Sequence, residues 1–265
     1  MYKLIAMDVD GTLLSSAKHI LPKTRKWILK AQELGATIML ASGRPMIGLF
    51  HQAETMKLNT QGLILLGYNG SMIADATSKE IYYSHAIQRE LAQNILESAK
   101  AFPITAMVYL DDQLIVTNLE GEHVQYEASS NGMKPVLNED IQLDFDPVKI
   151  LFSAPQEILD ALKDEFTQPF MGQVDFVKSA PFYLECVVKD VHKGEALKHY
   201  CEKNGIDPSE VMAFGDNYND MTMIQFAGLG VAMGNAVDEL KNIANHVTLS
   251  HDEDGIAVVL ENYYG

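Results

Sequence analysis

The apolar positions of this chain fall into short solid blocks, separated by longer stretches in which they recur every three or four residues. Short blocks bounded by turn residues predict buried strands, and the periodic stretches predict helices. Leu4 to Met7 is the first strand, followed by a helix from Pro22 to Leu34, with proline in its opening turn and Gly35 just past its end. Thr37 to Leu40 is a strand, Pro45 to Met56 a helix and Leu63 to Leu66 a strand. The alternation returns towards the C-terminus. A helix runs from His192 to Asn204 and closes at Gly205, and a strand from Val211 to Phe214 precedes a helix from Asp220 to Phe226. Leu229 to Ala232 is a last strand, before a helix around Asp238 to Ile243. Strands alternating with helices predict an α/β fold whose parallel sheet is covered on both faces.

The middle of the chain has another rhythm. Ile81 to Tyr83, Thr105 to Tyr109, Leu114 to Thr117, Ile150 to Phe152, Val174 to Val177 and Tyr183 to Val188 read as strands, with Asp111-Asp112 as a hairpin turn. Only Gln88 to Ala101 and Gln156 to Phe166 read as helices there, while Ser129 to Gly132 and Asp144 to Pro147 mark loops. The pattern predicts an α+β insert, residues 83–188, inside a core made of residues 1–82 and 189–265.

Composition narrows the partners. With 265 residues, 47% hydrophobic and 21% charged, the chain can bury a substantial core and is not disordered. Its net charge of −16 argues against nucleic acid and anionic membrane as partners. An anion site on such a chain must be a local exception, built from a metal ion, a few basic side chains and backbone N–H groups. Two cysteines, Cys186 and Cys201, give neither a disulfide framework nor a Cys-x-x-Cys site. The first residues show no apolar signal region, and no apolar run reaches the roughly 20 residues of a membrane span. The expected setting is cytoplasmic. Nothing in the pattern specifies an oligomeric state.

Chemistry concentrates where strands end. Asp8-Val9-Asp10-Gly11-Thr12 follows the first strand, and an extended chain through Val9 would project Asp8 and Asp10 to one side. Ligands of open α/β sheets bind beyond the carboxyl ends of the strands. Asp10-Gly11 is also an ordinary turn dipeptide. Ser42-Gly43-Arg44-Pro45 lies between the second strand and its helix, where free N–H groups and the Ser42 hydroxyl suit an anion, although serine is equally a common cap. Gly215-Asp216-Asn217-Tyr218-Asn219-Asp220 places further carboxylates after another strand. Acidic groups converging on one sheet edge call for a cation, and hard oxygen donors suit Mg²⁺ better than zinc. Lys193, at the start of the helix after the insert, could pair with a carboxylate and a phosphoryl oxygen or be a solvated surface group. His192 reads as a surface residue. Asn69-Gly70 reads either as a turn or as an amide presented to a substrate.

In this order, Asp8-Val9-Asp10-Gly11-Thr12, Ser42, Lys193 and Gly215-Asp216 through Asn219-Asp220 resemble the four motifs of the haloacid dehalogenase (HAD) superfamily. The insert's position resembles the type IIB cap of Cof-like sugar-phosphate phosphatases. The resemblance spans essentially the whole chain and implies a Rossmann-like core with an inserted α+β cap. It implies an Mg²⁺-dependent phosphatase for a small-molecule phosphate ester. Asp8 would be the nucleophile that becomes an aspartyl phosphate, and Asp10 the acid–base group. Asp8, Asp216 and the Asp10 carbonyl would hold the metal, with Asp220 supporting that shell. Ser42, Gly43, Lys193 and Asn219 would hold phosphoryl oxygens. The insert would close over the core and choose among hexose phosphates, pentose phosphates, a flavin-pathway intermediate or pyridoxal phosphate. Arg44 and Asn69 are candidate substrate contacts, and Arg44 and Glu185 are candidates both for leaving-group contacts and for structural ion pairs.

Asp10 itself argues for phosphate chemistry, because a dehalogenase displacing halide needs no acid there. A phosphomutase would share every core motif, and a phosphate-sensing module would be expected to have lost one. A nucleotide-binding dehydrogenase is poorly supported, because the turn after the first strand lacks a glycine fingerprint.

Overall fold

A computed structural model of the chain describes residues 1–56, 58 and 60–265. The chain divides into two compact units, one of Met1–Tyr83 with His192–Gly265 and one of Ser84–Val191.

The first unit begins β1 (Leu4–Asp8), α1 (Pro22–Glu33), β2 (Thr37–Ala41), α2 (Met46–Thr55), β3 (Leu63–Gly67), β4 (Met72–Asp75) and β5 (Ile81–Ser84). The inserted unit contains α3 (Arg89–Ala99), β6 (Thr105–Leu110), β7 (Gln113–Val116), α4 (Val124–Ser130), β8 (Lys134–Leu137), β9 (Lys149–Ser153), α5 (Gln156–Thr167), β10 (Val174–Ala180) and β11 (Tyr183–Val188). The first unit resumes with α6 (Lys193–Asn204), β12 (Val211–Gly215), α7 (Met221–Phe226), β13 (Leu229–Ala232), α8 (Asp238–Ile243), β14 (His246–Val247) and α9 (Gly255–Tyr264).

In the first unit eight strands form one sheet in the order β14-β13-β12-β1-β2-β3-β4-β5. The strands from β14 to β3 are parallel, and β4 turns back antiparallel on β3. β1 is buried at every position, as a central strand covered on both faces must be. Leu4 and Ala6 pack in one apolar cluster with Leu197, Ile224 and Leu240 of α6, α7 and α8. The alternate residues Ile5 and Met7 are equally buried, and α1 packs on β2 and α9. The helices and strands expected of this unit are present to within two residues. Ile81 to Tyr83, read with the middle of the chain, is instead the edge strand of this sheet, and β4, β14 and α9 were not anticipated.

The inserted unit has its own sheet, in the order β10-β11-β9-β6-β7-β8. Its neighbours are antiparallel except for β7 and β8. Ala106, Val108, Ile150, Phe152, Leu184 and Cys186 on one face join Ala92, Ile95 and Leu96 of α3 and Leu159 and Phe166 of α5 in a second core. The Asp111-Asp112 hairpin is as expected, with Leu110 paired to Gln113. α4 corrects the loop reading at Ser129-Ser130, since both residues end that helix.

Candidate active site

Register brings the acidic segments together. Met7 pairs with Phe214 and Asp8 with Ala41, so Asp8, Ser42 and Asp216 all stand at the carboxyl ends of the adjacent strands β1, β2 and β12. Lys193, on the first turn of α6, is fully buried. Its ammonium donates to Asp8 Oδ1 at 2.5 Å and to Asp220 Oδ1 at 2.7 Å. Asp220, also fully buried, accepts the N–H groups of Asp216 (2.9 Å) and Asn217 (3.1 Å) on its other oxygen. Both Asp220 oxygens are thus committed within the protein. The Thr12 hydroxyl donates to Asp216 Oδ1 at 2.7 Å.

Carboxylate oxygens of Asp8, Asp216 and Asp220 lie within 4.8 Å of one another. Burial pushes the Asp8 carboxyl well above its ordinary range; Lys193 opposes the rise, and Asp220 and Asp216 add to it. Burial likewise raises Asp216 against the Thr12 hydrogen bond. For Lys193, burial works against the charge, but Asp8 and Asp220 outweigh it and hold the ammonium protonated. Three carboxylates facing one ammonium leave two negative charges, which a divalent cation would balance. Asp8 Oδ2 and Asp216 Oδ2 accept no hydrogen bond from the described residues. The donor set therefore fits a hard divalent ion, which Asp8 and Asp216 could hold.

Two glycines allow the close approach. Gly11 has φ +88°, and a Cβ there would lie 2.5 Å from Asp216 Oδ2. Gly70 has φ +116°, and a Cβ there would lie 2.6 Å from the His192 carbonyl oxygen, at the start of the helix that carries Lys193. Only glycine combines that backbone with that contact.

The second set of predicted residues also meets. Ser42 is buried; its N–H donates to the Leu66 carbonyl at 2.8 Å, and its hydroxyl accepts the Arg44 N–H at 3.2 Å. The Asn69 N–H donates to the Ser42 carbonyl at 3.0 Å, and Asn219 Nδ2 donates to Asn69 Oδ1 at 3.0 Å. Gly43 lies against the Asn69 amide, 3.0 Å from where its Cβ would be. Asn69 is therefore both a turn residue, with φ +56°, and part of this cluster.

Asp10 is placed differently. β1 stops at Asp8, one residue short of the extended run that would have set both carboxylates on one side. Asp10 is instead gripped by Arg44, with Nε to Oδ2 at 2.8 Å and Nη2 to Oδ1 at 3.1 Å, and by Lys18 at 3.0 Å. Burial favours its neutral form, but Arg44 and Lys18 prevail and hold it below the usual carboxylate range.

Residues 5–260 match the sequence profile of the haloacid dehalogenase-like hydrolases. The chain belongs to this family. A haloacid dehalogenase-like hydrolase from Bacteroides thetaiotaomicron has a crystal structure that superposes with a TM-score of 0.92, at 34% identity over 99% of this chain and 100% of its own. A 5-amino-6-(5-phospho-D-ribitylamino)uracil phosphatase of Bacillus subtilis is 26% identical over 98% of this chain and 97% of its own. A pyridoxal phosphate phosphatase of Escherichia coli is 28% identical over 96% of each chain.

In this haloacid dehalogenase-like hydrolase, several site residues carried no sequence signal of their own. Lys18 sits in an exposed turn with φ +59°. Thr12 was in a motif without a role, and its hydroxyl turns out to hold Asp216. His192 is exposed, as expected, and also caps α6 by accepting the Glu195 N–H at 3.2 Å. Glu185 in the insert pairs with buried Lys149 at 3.2 Å. Among the described residues no helix is long and apolar enough to cross a membrane.

Proposed function

We propose that the chain is an Mg²⁺-dependent phosphatase of small phosphorylated metabolites, with Asp8 as nucleophile. The observation that carries this reading is buried Lys193, held between Asp8 and Asp220 at the strand ends beside Asp216. Phosphoryl transfer needs positioning and charge neutralisation more than elaborate covalent chemistry. Lys193 fixes the Asp8 carboxylate and offsets repulsion between an anionic nucleophile and an anionic ester.

In the first step Asp8 attacks phosphorus and the ester oxygen leaves, taking a proton from Asp10. In the second, Asp10 accepts a proton from the water that cleaves the aspartyl phosphate. The ion pair with Arg44 and Lys18 keeps Asp10 as the carboxylate that the second step uses; to serve as the acid of the first step Asp10 must leave that pair and take up a proton. Asp8, Asp216 and the Asp10 carbonyl would hold the metal, which when bound would neutralise charge on the transferring group. Ser42, Gly43, Asn219 and Lys193 bind phosphoryl oxygens. Arg44 and Asn69 are substrate contacts, and the insert, residues 83–188, selects the ester.

The test is phosphate release from a panel of phosphorylated metabolites, with Mg²⁺ and with EDTA, using Asp8→Asn as the blank. Release that needs Mg²⁺ and disappears in the variant supports the reading, and the substrate ranking names the ester. No release from any ester with Mg²⁺ present would sink it.

A further inference from the structure

The turn after β13 touches both acidic strand ends. Met233 N–H donates to the Gly215 carbonyl and Val237 N–H to the Asp216 carbonyl, each at 3.0 Å. Between them, Asn235 Nδ2 donates to the Gly11 carbonyl at 2.8 Å. The other end of the Asn235 amide is also used: Oδ1 accepts the His251 N–H at 3.0 Å. Next to His251, Asp252 accepts both the N–H (2.8 Å) and the hydroxyl (2.6 Å) of Ser16. The loop from Val9 to Ser16 is thus tied at its apex by Asn235 and at its far end by Asp252. That loop carries Asp10 and the Thr12 hydroxyl that orients Asp216.

We propose that Asn235 is a positioning residue of the reaction, one that sets the Asp10–Thr12 loop in register with Asp216 and so shapes the metal and phosphoryl site without touching either. An isolated hydrogen bond from an exposed asparagine would matter little to stability. This one joins two segments whose relative placement fixes the Thr12–Asp216 bond, and Gly11 has no room to slide because Asp216 Oδ2 fills the space where its Cβ would be. Loss of the amide frees the loop at the point where a small displacement costs most.

The kinetic arm of the test rests on the phosphatase reading, whereas the binding arm does not. Mn²⁺ binding to the substrate-free protein is measured by titration calorimetry for wild type, N235A, N235D, T12V and the N235A/T12V double variant, alongside thermal melting. Outer-shell partners of metal ligands typically contribute about 10- to 100-fold in affinity or activity. N235A should weaken Mn²⁺ by about tenfold or more and lower kcat similarly, with KM little changed and melting close to wild type. N235D, which keeps the acceptor for His251 but sets a carboxylate oxygen against the Gly11 carbonyl, should do no better. In the T12V background N235A should cost little further, because both act through Asp216. Wild-type Mn²⁺ affinity and kcat in N235A, or fully additive losses in the double variant, would overturn the inference. A wild type that binds Mn²⁺ yet hydrolyses no ester would count against the phosphatase reading alone.

Discussion

The Lys193 ammonium lies 2.7 Å from Asp220, and neither side chain has any exposure to solvent. Asp220 completes its coordination with two backbone N–H groups, so the pair is a fixed strut under Asp8. Removing one member of a buried pair leaves an uncompensated charge, which costs about 3–5 kcal/mol. Lys193→Met should therefore lower stability by about that amount at neutral pH. Added Mg²⁺ should restore part of it, because the cation offsets the same carboxylates. Denaturant melts with and without Mg²⁺ check both halves, and a variant as stable as wild type without metal would refute the strut.

Asp10 should separate acid–base chemistry from metal binding. Its proposed metal contact is a backbone carbonyl, which Asp10→Asn leaves in place. Loss of a general acid–base group typically costs about 10²- to 10⁴-fold in rate. Asp10→Asn should fall in that range in kcat while Mg²⁺ affinity, read by calorimetry, stays near wild type. Lost metal binding would contradict the assigned roles.

How legible the site was depends on how local its logic is. Asp8, Ser42 and Asp216 each follow a buried apolar block, and parallel strands in register bring such ends together, so their convergence could be read from the chain. The Arg44–Asp10 pair could not, because it joins side chains 34 positions apart whose residue types suit a surface as well as a site. Asp220 was legible only as a support of the metal shell; that Lys193 and two N–H groups would occupy both its oxygens was not, because those partners come from another helix and from its own turn. Short elements escaped for a related reason. α4 has seven residues and β14 two, too few to show a period. β8 contains Pro135, which sits without penalty because β8 is an edge strand.

The insert has its own buried ion pair. Lys149 and Glu185, with side chains 3% and 12% exposed, pair at 3.2 Å, and the Lys149 ammonium lies 5.0 Å from the Tyr109 ring centroid. Lys149→Met alone should destabilise the protein by about 3–5 kcal/mol, because Glu185 is left buried and unpaired. The double replacement Lys149→Met/Glu185→Leu should recover most of that loss, since apolar pairs of similar volume often replace buried ion pairs without cost. Urea unfolding of the two variants decides it. Equal stability of single and double variants would show that the charge of Glu185 is not the problem.

Alkaline stability should carry the mark of Tyr264. Its hydroxyl donates to the Tyr2 carbonyl at 2.7 Å, and burial pushes the phenol from its ordinary value of 10.0 up to about 12. A raised folded-state value means that the neutral phenol is the form the fold favours. Below pH of about 10 both folded and unfolded chains hold the proton, and the contribution is complete. As pH rises towards 12 the unfolded chain ionises first, so stability falls across that window and levels off above it. Tyr264→Phe cannot ionise. It should be less stable than wild type at neutral pH by about 1 kcal/mol, the worth of one hydrogen bond, and should lose stability less steeply between pH 10 and 12. Urea midpoints measured at intervals across that range test the slope, and parallel curves for the two proteins would show that Tyr264 ionisation does not drive the alkaline loss.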